Sequence, residues 1–157
     1  MFKFGDFDRG YADTKKRLVA IKDRRVTIGV HGKDDNRGDF TTNVEVGTLH
    51  EFGGENAPER SFLRVTLDKN GAEYASYARS LASQVVDGRM SIERALGLLG
   101  ERVKADVVAM FNANAIRPDI SEKTKKAKGS STVLIDTGSL KQSIDYVVRA
   151  IGAEAGL

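Results

Sequence analysis

Two long stretches of helical apolar periodicity, separated by one turn, constrain the fold of this chain more than any other feature. The first runs over about residues 68–86 and the second over about residues 92–112. Apolar side chains at such spacings lie on one face of an α-helix. Asp87-Gly88 ends the first stretch, and Ser91 can cap the second. We therefore predict an antiparallel helical hairpin. The periodic residues are Tyr74, Ala78, Leu81 and Val85, then Ile92, Leu96, Leu99, Val103, Val107 and Met110.

Two shorter segments alternate apolar and polar residues, which is the pattern of a half-buried strand. One covers residues 25–31, and the other begins near Ile144, after a single helical turn at residues 140–143. The chain length fits one domain, so residues 1–157 are predicted to form a single domain. We expect an α+β fold in which a small, mostly antiparallel sheet packs against the hairpin, with extended loops and an N-terminal arm. The alternating residues are Val26, Ile28 and Val30, then Ile144, Tyr146 and Val148.

A helix is also predicted before the first strand, over about residues 8–21. Asp8 can serve as its N-cap, and the basic residues lie in its C-terminal half, where the helix dipole favours them. Its apolar face is expected to contain Tyr11, Leu18 and Ile21. This helix would add a third helical element to the fold.

A short helix is predicted over residues 43–52. Thr42 and Glu45 fit the capping-box pattern, in which each residue satisfies a backbone N–H of the other. Gly53 fits the position just after a helix, where a positive φ is common. A strand through Val44 and Val46 is the alternative interpretation of the same residues.

Residues 49–64, with the sequence LHEFGGENAPERSFLR, combine turn-forming residues with mixed charge. Gly53 and Gly54 can adopt a positive φ without a steric penalty, and Pro58 fixes its own φ. The segment is therefore predicted to form a sharp corner presented at the surface, and its charged side chains need partners or water. The residues expected to pack into the core are Phe52, Phe62 and Leu63.

Three segments are predicted to lie outside the core. Residues 1–8 alternate Phe with polar residues, which fits either a short strand or an arm that docks on a neighbour, since so much exposed aromatic surface favours packing. Residues 32–40 are polar and rich in turn formers, so we expect a mobile loop. Residues 119–132 are basic and end in Gly and Ser, which is typical of a flexible surface loop.

The composition excludes several classes of protein. The chain has no cysteine, which rules out disulfides, thiol catalysis and thiolate metal sites. No apolar run approaches the roughly 20 residues that a membrane span requires, and the N-terminal residues do not resemble a secretory signal. The 25 Lys and Arg are nearly balanced by the 22 Asp and Glu, so the overall charge does not demand a nucleic-acid partner.

Two motifs resemble fragments of catalytic sites, but neither is complete. His50-Glu51 matches the start of the zinc-protease pattern H-E-x-x-H, but Gly54 replaces its second histidine. The DTG sequence at Asp136 occurs in aspartic proteases, where two such carboxylates must face each other, and no second copy exists here. We therefore predict no catalytic residues, no metal and no cofactor. A hydrolase that uses Asp136 or His50 is the least favoured hypothesis.

The basic tract at residues 123–128 carries the main alternative, a nucleic-acid-binding accessory protein. Its lysines could neutralise phosphates, and each such contact would make binding sensitive to salt. No aromatic residues are interleaved for base stacking, and no recognition-helix pattern is present. A solvated loop is therefore the simpler interpretation of this tract.

Two motifs together resemble the signature of small morphogenesis proteins from tailed bacteriophages. The segment HEFGGENAPERSFLR, beginning at His50, resembles the pattern H-E-F-G … I-P-x-R-P-F-L-R of that group. The segment LIDTGSLKQSIDYVV, beginning at Leu134, resembles its L-I-D-T-G-x-L-x-x-S-I-x-Y-x-V. Two positions depart from the family pattern. Ser61 stands where a second proline is usual, which is expected to loosen the corner, and Val133 stands where a proline often occurs.

The resemblance implies a structural virion protein without enzymatic activity. Members act as neck, tail-completion or head–tail joining proteins, and their subunits form a ring that is commonly hexameric. The partners implied are other copies of the chain, a portal, connector or head-completion protein, and a tail terminator or tail tube protein. DNA would pass through the channel without sequence-specific binding. The protein would be made in the cytoplasm of the host bacterium and then reside in the virion neck or tail.

Overall fold

The computed structural model describes residues 10–31, 42–55, 57–113, 115–116 and 138–152. These residues form five helices and two strands. In chain order, the elements are α1 (Tyr11–Lys22), β1 (Arg24–Val30), α2 (Asn43–Phe52), α3 (Leu63–Val86), α4 (Ile92–Asn112), α5 (Ser139–Gln142) and β2 (Ile144–Ala150). The α5 helix is the single turn predicted before the last strand.

The predicted helical hairpin is confirmed. The α3 and α4 helices pack together along the apolar stripes that the sequence indicates. Gly88 adopts a positive φ of 75° in the turn between them, and the Ser91 hydroxyl accepts a hydrogen bond from the backbone N–H of Arg94. The α3 helix begins at Leu63, five residues before the predicted Asp68. A contact with α2, described below, explains this earlier start.

The two strands form an antiparallel sheet that packs on α4. The register pairs Arg24 with Ala150 at one end and Val30 with Ile144 at the other. Gly100 of α4 allows this close packing, because a Cβ at that position would come within 2.5 Å of the Tyr146 ring. The predicted α+β fold, with a small antiparallel sheet against a helical hairpin, is therefore confirmed.

The core divides into two clusters along the hairpin. The larger lies at the end where α3 begins, and there Phe62 is fully buried and meets Phe111 edge to face, with ring centroids 5.2 Å apart. Burial of Phe62 confirms its predicted place in the core. The larger cluster also contains Tyr74, Val103, Val107, Ile116, Leu140 and Ile144, and the smaller contains Leu81, Val85, Ile92 and Ala95.

The predicted apolar face of α1 is confirmed at Ile21 and wrong at Tyr11 and Leu18. Tyr11 and Leu18 are exposed, and the helix contacts the smaller core cluster through Ala20 and Ile21. Arg17 also faces inward, because its guanidinium donates a 3.1 Å hydrogen bond to the carbonyl of Val86. A helix that packs on the turn of a hairpin meets exposed backbone carbonyls there, so a basic side chain suits that contact.

The N-cap of α1 is Gly10, with a φ of 86°, and the predicted N-cap Asp8 lies outside the described residues. The predicted arm at residues 1–8, the loops at 32–40 and 119–132, the basic tract at 123–128, Val133 and Asp136 also lie outside them. Within the described ranges, no helix combines the length and the apolar character that a membrane span requires.

Candidate functional site at the corner between α2 and α3

The α2 helix is held at both ends as its sequence predicts. The Thr42 hydroxyl accepts a 3.1 Å hydrogen bond from the backbone N–H of Glu45, whose carboxylate accepts one of 2.8 Å from the N–H of Thr42. Gly53 follows the last helical residue with a φ of 74°. The capping box and the glycine stop are confirmed, and the alternative strand interpretation is wrong.

The segment after α2 folds back on the helix. Gly54 and Ala57 exchange two backbone hydrogen bonds of 2.8 and 3.2 Å, and the N–H of Arg60 donates to the carbonyl of His50 at 2.7 Å. Gly53 is required where it stands, because a Cβ there would lie 3.0 Å from the backbone nitrogen of Glu59. The predicted corner is thus fixed by its own backbone contacts.

The carboxylate of Glu51 forms the centre of this corner. Its two oxygens accept hydrogen bonds from the Ser61 hydroxyl at 2.6 Å and from the backbone N–H groups of Phe62, Leu63 and Arg64 at 2.9 to 3.0 Å. Glu51 is only 6% exposed. The first N–H groups of a helix lack partners within the helix, and a negative charge there is favoured by the dipole. Glu51 of α2 therefore caps α3, for which Phe62 supplies no side-chain cap.

This contact explains why α3 begins earlier than predicted. A cap supplied by a residue twelve positions upstream of Leu63 is invisible to the local pattern used to place helix starts. It also corrects the expectation that Ser61 loosens the corner. The Ser61 side chain is buried and bonded to Glu51, so it joins the two helices.

The environment of Glu51 lowers its pKa. Burial acts in the opposite direction and raises the pKa, because it penalises the charged form. The hydrogen bonds from the Ser61 hydroxyl and from the N–H groups of Leu63, Arg64 and Phe62 favour the carboxylate, and together they outweigh burial. Glu51 is therefore ionised at neutral pH and serves as a hydrogen-bond acceptor rather than as a proton donor.

Arg64 links the two ends of the corner at the protein surface. One of its guanidinium nitrogens lies 3.1 Å from the carbonyl oxygen of Glu51 and 2.6 Å from a carboxylate oxygen of Glu59. The guanidinium carbon also lies 5.9 Å from the centre of the Phe52 ring. These groups are about half exposed, so their energetic contribution is small. Arg64 and Phe52 are therefore neighbours at the surface of the corner.

The second motif contacts α2 through Ser139 and Leu140. The amide of Asn43 and the hydroxyl of Ser139 are bonded, with distances of 2.9 Å from the amide nitrogen and 3.1 Å from the amide oxygen. Gly47 allows α2 to approach both β1 and α5, because a Cβ there would lie 3.1 Å from Val30 and 3.4 Å from Leu140. The helix in which the first motif begins therefore contacts Ser139 and Leu140 of the second motif, whose Asp136 and Thr137 lie outside the described residues.

The amphipathic character of α2 is inverted except at Val46, which packs against the larger core cluster. Its buried residues are Asn43, Gly47 and Glu51, at intervals of one helical turn. Phe52, in contrast, is 67% exposed, so the prediction that it packs into the core is wrong. The polar inward face is possible because its two polar side chains bind Ser139 and the start of α3. The large apolar residues exposed on α2 and on the first turns of α3 are Val44, Leu49, Phe52, Val65 and Leu67.

A groove of about 500 Å³ opens between β1, α2 and the first turns of α3. Its walls are largely apolar and include Ile28, Val30, Phe52, Leu63 and Leu67. Three consecutive residues of β1, from Ile28 to Val30, line it. Successive side chains of a strand point to opposite faces, so three in a row can line one groove only along the edge of the strand. Among the described residues, no strand pairs with this edge.

Of the residues considered for catalysis, Asp136 lies outside the described residues, and His50 and Glu51 belong to α2. Glu51 is occupied by four donors, as described above, and His50 lies on the turn of α2 just before it. Across the described ranges, no three His, Asp or Glu side chains come together in a group that could hold a metal ion.

Comparisons with protein-family models, with curated proteins and with solved structures found no match to this chain.

Proposed function

We propose that this protein is a structural component of the neck of a tailed bacteriophage, acting in tail completion or head–tail joining. In this role, copies of the chain form a ring between the portal or head-completion protein and the tail terminator or tail tube. DNA passes through the ring without sequence-specific binding. The protein has no enzymatic step in this role, and it works by shape and contact.

The inverted α2 helix is the observation that carries the proposal. A ring subunit needs an apolar surface on a rigid support, since loose surface residues lose entropy when they bind. Phe52 meets this need, because it is exposed while the backbone beneath it is fixed by Gly53 and by the capping of α3 by Glu51. A cluster of exposed apolar side chains is typical of a protein–protein contact site.

The structural roles of the motif residues also support the proposal. In the first motif, Glu51 caps a helix, Gly53 turns the chain and Phe62 fills the core. In the second, Ser139 and Leu140 receive α2. The residues that resemble the phage signature therefore maintain the corner, as expected if the signature describes a structural protein.

The proposal is tested on phage particles produced from the genome that encodes this chain. We expect mass spectrometry of purified particles to detect the protein, and electron microscopy of the neck to place it in a closed ring. Particles made with Phe52→Ser should lack joined tails more often than those made with Tyr77→Ser, which alters an exposed aromatic residue of α3 outside the groove. Absence of the protein from purified particles would overturn the proposal.

A further inference from the structure

We propose that Asn70 is a site of spontaneous deamidation that the folded α3 helix protects, so that its modification marks chains in which this helix has opened. The sequence contains the pair Asn-Gly once, at Asn70-Gly71, and the pair lies inside α3. Asparagine is one of the thermally labile residues of proteins. The inference is independent of the proposed ring, because it depends only on α3 and its contact with α4.

Deamidation at this pair needs no reactant other than water. The backbone nitrogen of Gly71 attacks the side-chain carbonyl carbon of Asn70, which closes a succinimide ring and breaks the bond from that carbon to Nδ2. The amide nitrogen leaves as ammonia and takes the proton that the Gly71 nitrogen loses. Water then opens the ring at either of its carbonyl groups and leaves an aspartate or an isoaspartate. Glycine favours the attack because it has no Cβ that would obstruct it.

Among the described residues, no contact requires a glycine at position 71. A Cβ added there would meet no heavy atom within 4 Å, and Gly71 is not one of the glycines with a positive φ. Glycine inside a helix is less favourable than alanine. Gly71→Ala should therefore fold, and it provides a control in which the attacking nitrogen is hindered while α3 is retained.

The folded helix engages both of the groups that must react. Helical geometry directs the N–H of Gly71 to the carbonyl four residues earlier. The side-chain amide of Asn70 donates a 3.1 Å hydrogen bond to the Tyr74 hydroxyl, which in turn donates one of 3.0 Å to the Asp106 carboxylate. Ring closure must break the helical hydrogen bond and release the amide from Tyr74, so it requires α3 to open locally.

The product should weaken the contact between α3 and α4. A carboxylate at position 70 cannot donate to the Tyr74 hydroxyl, and it adds a negative charge beside a hydroxyl already bonded to Asp106. Isoaspartate also inserts a methylene group into the main chain, which disrupts the helical hydrogen bonds. Because Tyr74 belongs to the larger core cluster, the modified protein should unfold more readily than the natural one.

Peptide mapping by mass spectrometry tests the inference on the full-length protein. Trypsin cleaves after Lys69 and Arg79, so residues 70–79 form one peptide whose deamidated form is heavier. The protein is incubated at mildly alkaline pH with and without denaturing urea, and an unincubated sample corrects for deamidation during digestion. We expect Asn70 to react at least about tenfold faster in urea, because only opened chains react.

Two further variants complete the test. In urea, Gly71→Ala should react about tenfold more slowly than the natural chain, because its Cβ hinders the attack. Asn70→Asp, which supplies the carboxylate of the product, should have a lower Tm than the uncharged Asn70→Ser. Equal rates for the natural protein with and without urea would overturn the proposed protection. Equal rates for Gly71→Ala and the natural chain in urea would overturn the site, and equal Tm values would overturn the effect on stability.

Discussion

The hydroxyl of Ser61 donates a 2.6 Å hydrogen bond to the carboxylate of Glu51, and both side chains are buried. This contact joins the end of α2 to the start of α3 across the corner. A proline at position 61 would have no hydroxyl to donate and would restrict the backbone instead. Ser61 therefore stiffens the corner through its side-chain hydrogen bond.

The first prediction concerns the coupling between these two residues. We expect Ser61→Ala to lower the free energy of unfolding by about 1–2 kcal/mol and Glu51→Ala to lower it by about 3 kcal/mol, because hydrogen bonds to a buried charge are strong. The double variant should cost less than the sum of the two, with a coupling of about 1 kcal/mol. Chemical denaturation measures all three values. Glu73→Ala, which removes an exposed carboxylate, should have little effect, and strict additivity of Ser61 and Glu51 would contradict the prediction.

The second prediction follows from the lowered pKa of Glu51. Its ordinary pKa is 4.5, and the folded protein lowers that value. The stabilisation from its charge is therefore complete above pH 4.5 and is lost as the pH falls from there through the folded pKa. In Glu51→Gln this part of the pH dependence should disappear, so its stability should fall less steeply with acid than that of the natural protein. Parallel curves of unfolding free energy against pH would contradict the assignment.

The third prediction separates the two phenylalanines that flank the corner. Phe62→Ala should lower the free energy of unfolding by about 3–5 kcal/mol, because it leaves a cavity beside Phe111. Phe52→Ala should cost no more than about 1 kcal/mol, since Phe52 is exposed and loses mainly its contact with Arg64. Thermal unfolding of both variants provides the measurement. An equal loss in the two would show that Phe52 belongs to the core after all.

The fourth prediction uses two glycines of α4 that differ in how closely the Tyr146 side chain approaches them. Gly100→Ala should destabilise the protein by about 1–3 kcal/mol, because the new methyl group overlaps the Tyr146 ring. Gly97→Ala is the matched control, since its methyl group would lie 3.7 Å from the Tyr146 hydroxyl. It should be neutral or stabilising by up to about 1 kcal/mol, as alanine favours a helix. Similar values for the two variants would contradict the observed packing of β2 on α4.

The fifth prediction distinguishes the ring protein from the nucleic-acid-binding alternative. If DNA only passes through the ring, binding of duplex DNA should be weak, and its affinity should change little with salt at moderate ionic strength. A protein that grips phosphates through residues 123–128 would instead lose affinity steeply, with a slope near −0.9 for each phosphate that it neutralises. Fluorescence anisotropy at several salt concentrations measures the slope, and a steep slope would favour the alternative.

The parts of the fold that depend on local pattern could be predicted from the sequence. The hairpin, the two strands and α2 each follow from spacing, caps or glycine stops within a few residues. The start of α3 could not, because its cap is Glu51 and comes from another helix. The inward face of α1 was also missed, since Arg17 is drawn to backbone carbonyls at the hairpin turn rather than to apolar side chains.

The sequence predicts where the candidate site lies, but it does not predict which residues of α2 face the core. The corner was predicted from its glycines and proline, but the rule that apolar residues face inward placed Phe52 in the core. That rule fails in α2 because Asn43, Gly47 and Glu51 occupy the buried stripe and make specific contacts there. A polar and small-residue stripe at intervals of four, beside exposed apolar positions, is the signal that could have revealed the inversion.

The inward and outward residues of α2 differ in what they contribute, so substitutions on the two surfaces should have different effects. The inward residues maintain the fold through polar contacts, so replacing one of them without its partner is harmful. The outward residues, such as Leu49 and Phe52, contribute little to the stability of the isolated chain. Substitutions on the outer surface of α2 should therefore alter what the protein contacts and leave its architecture unchanged, whereas substitutions on the inner surface should alter the architecture itself.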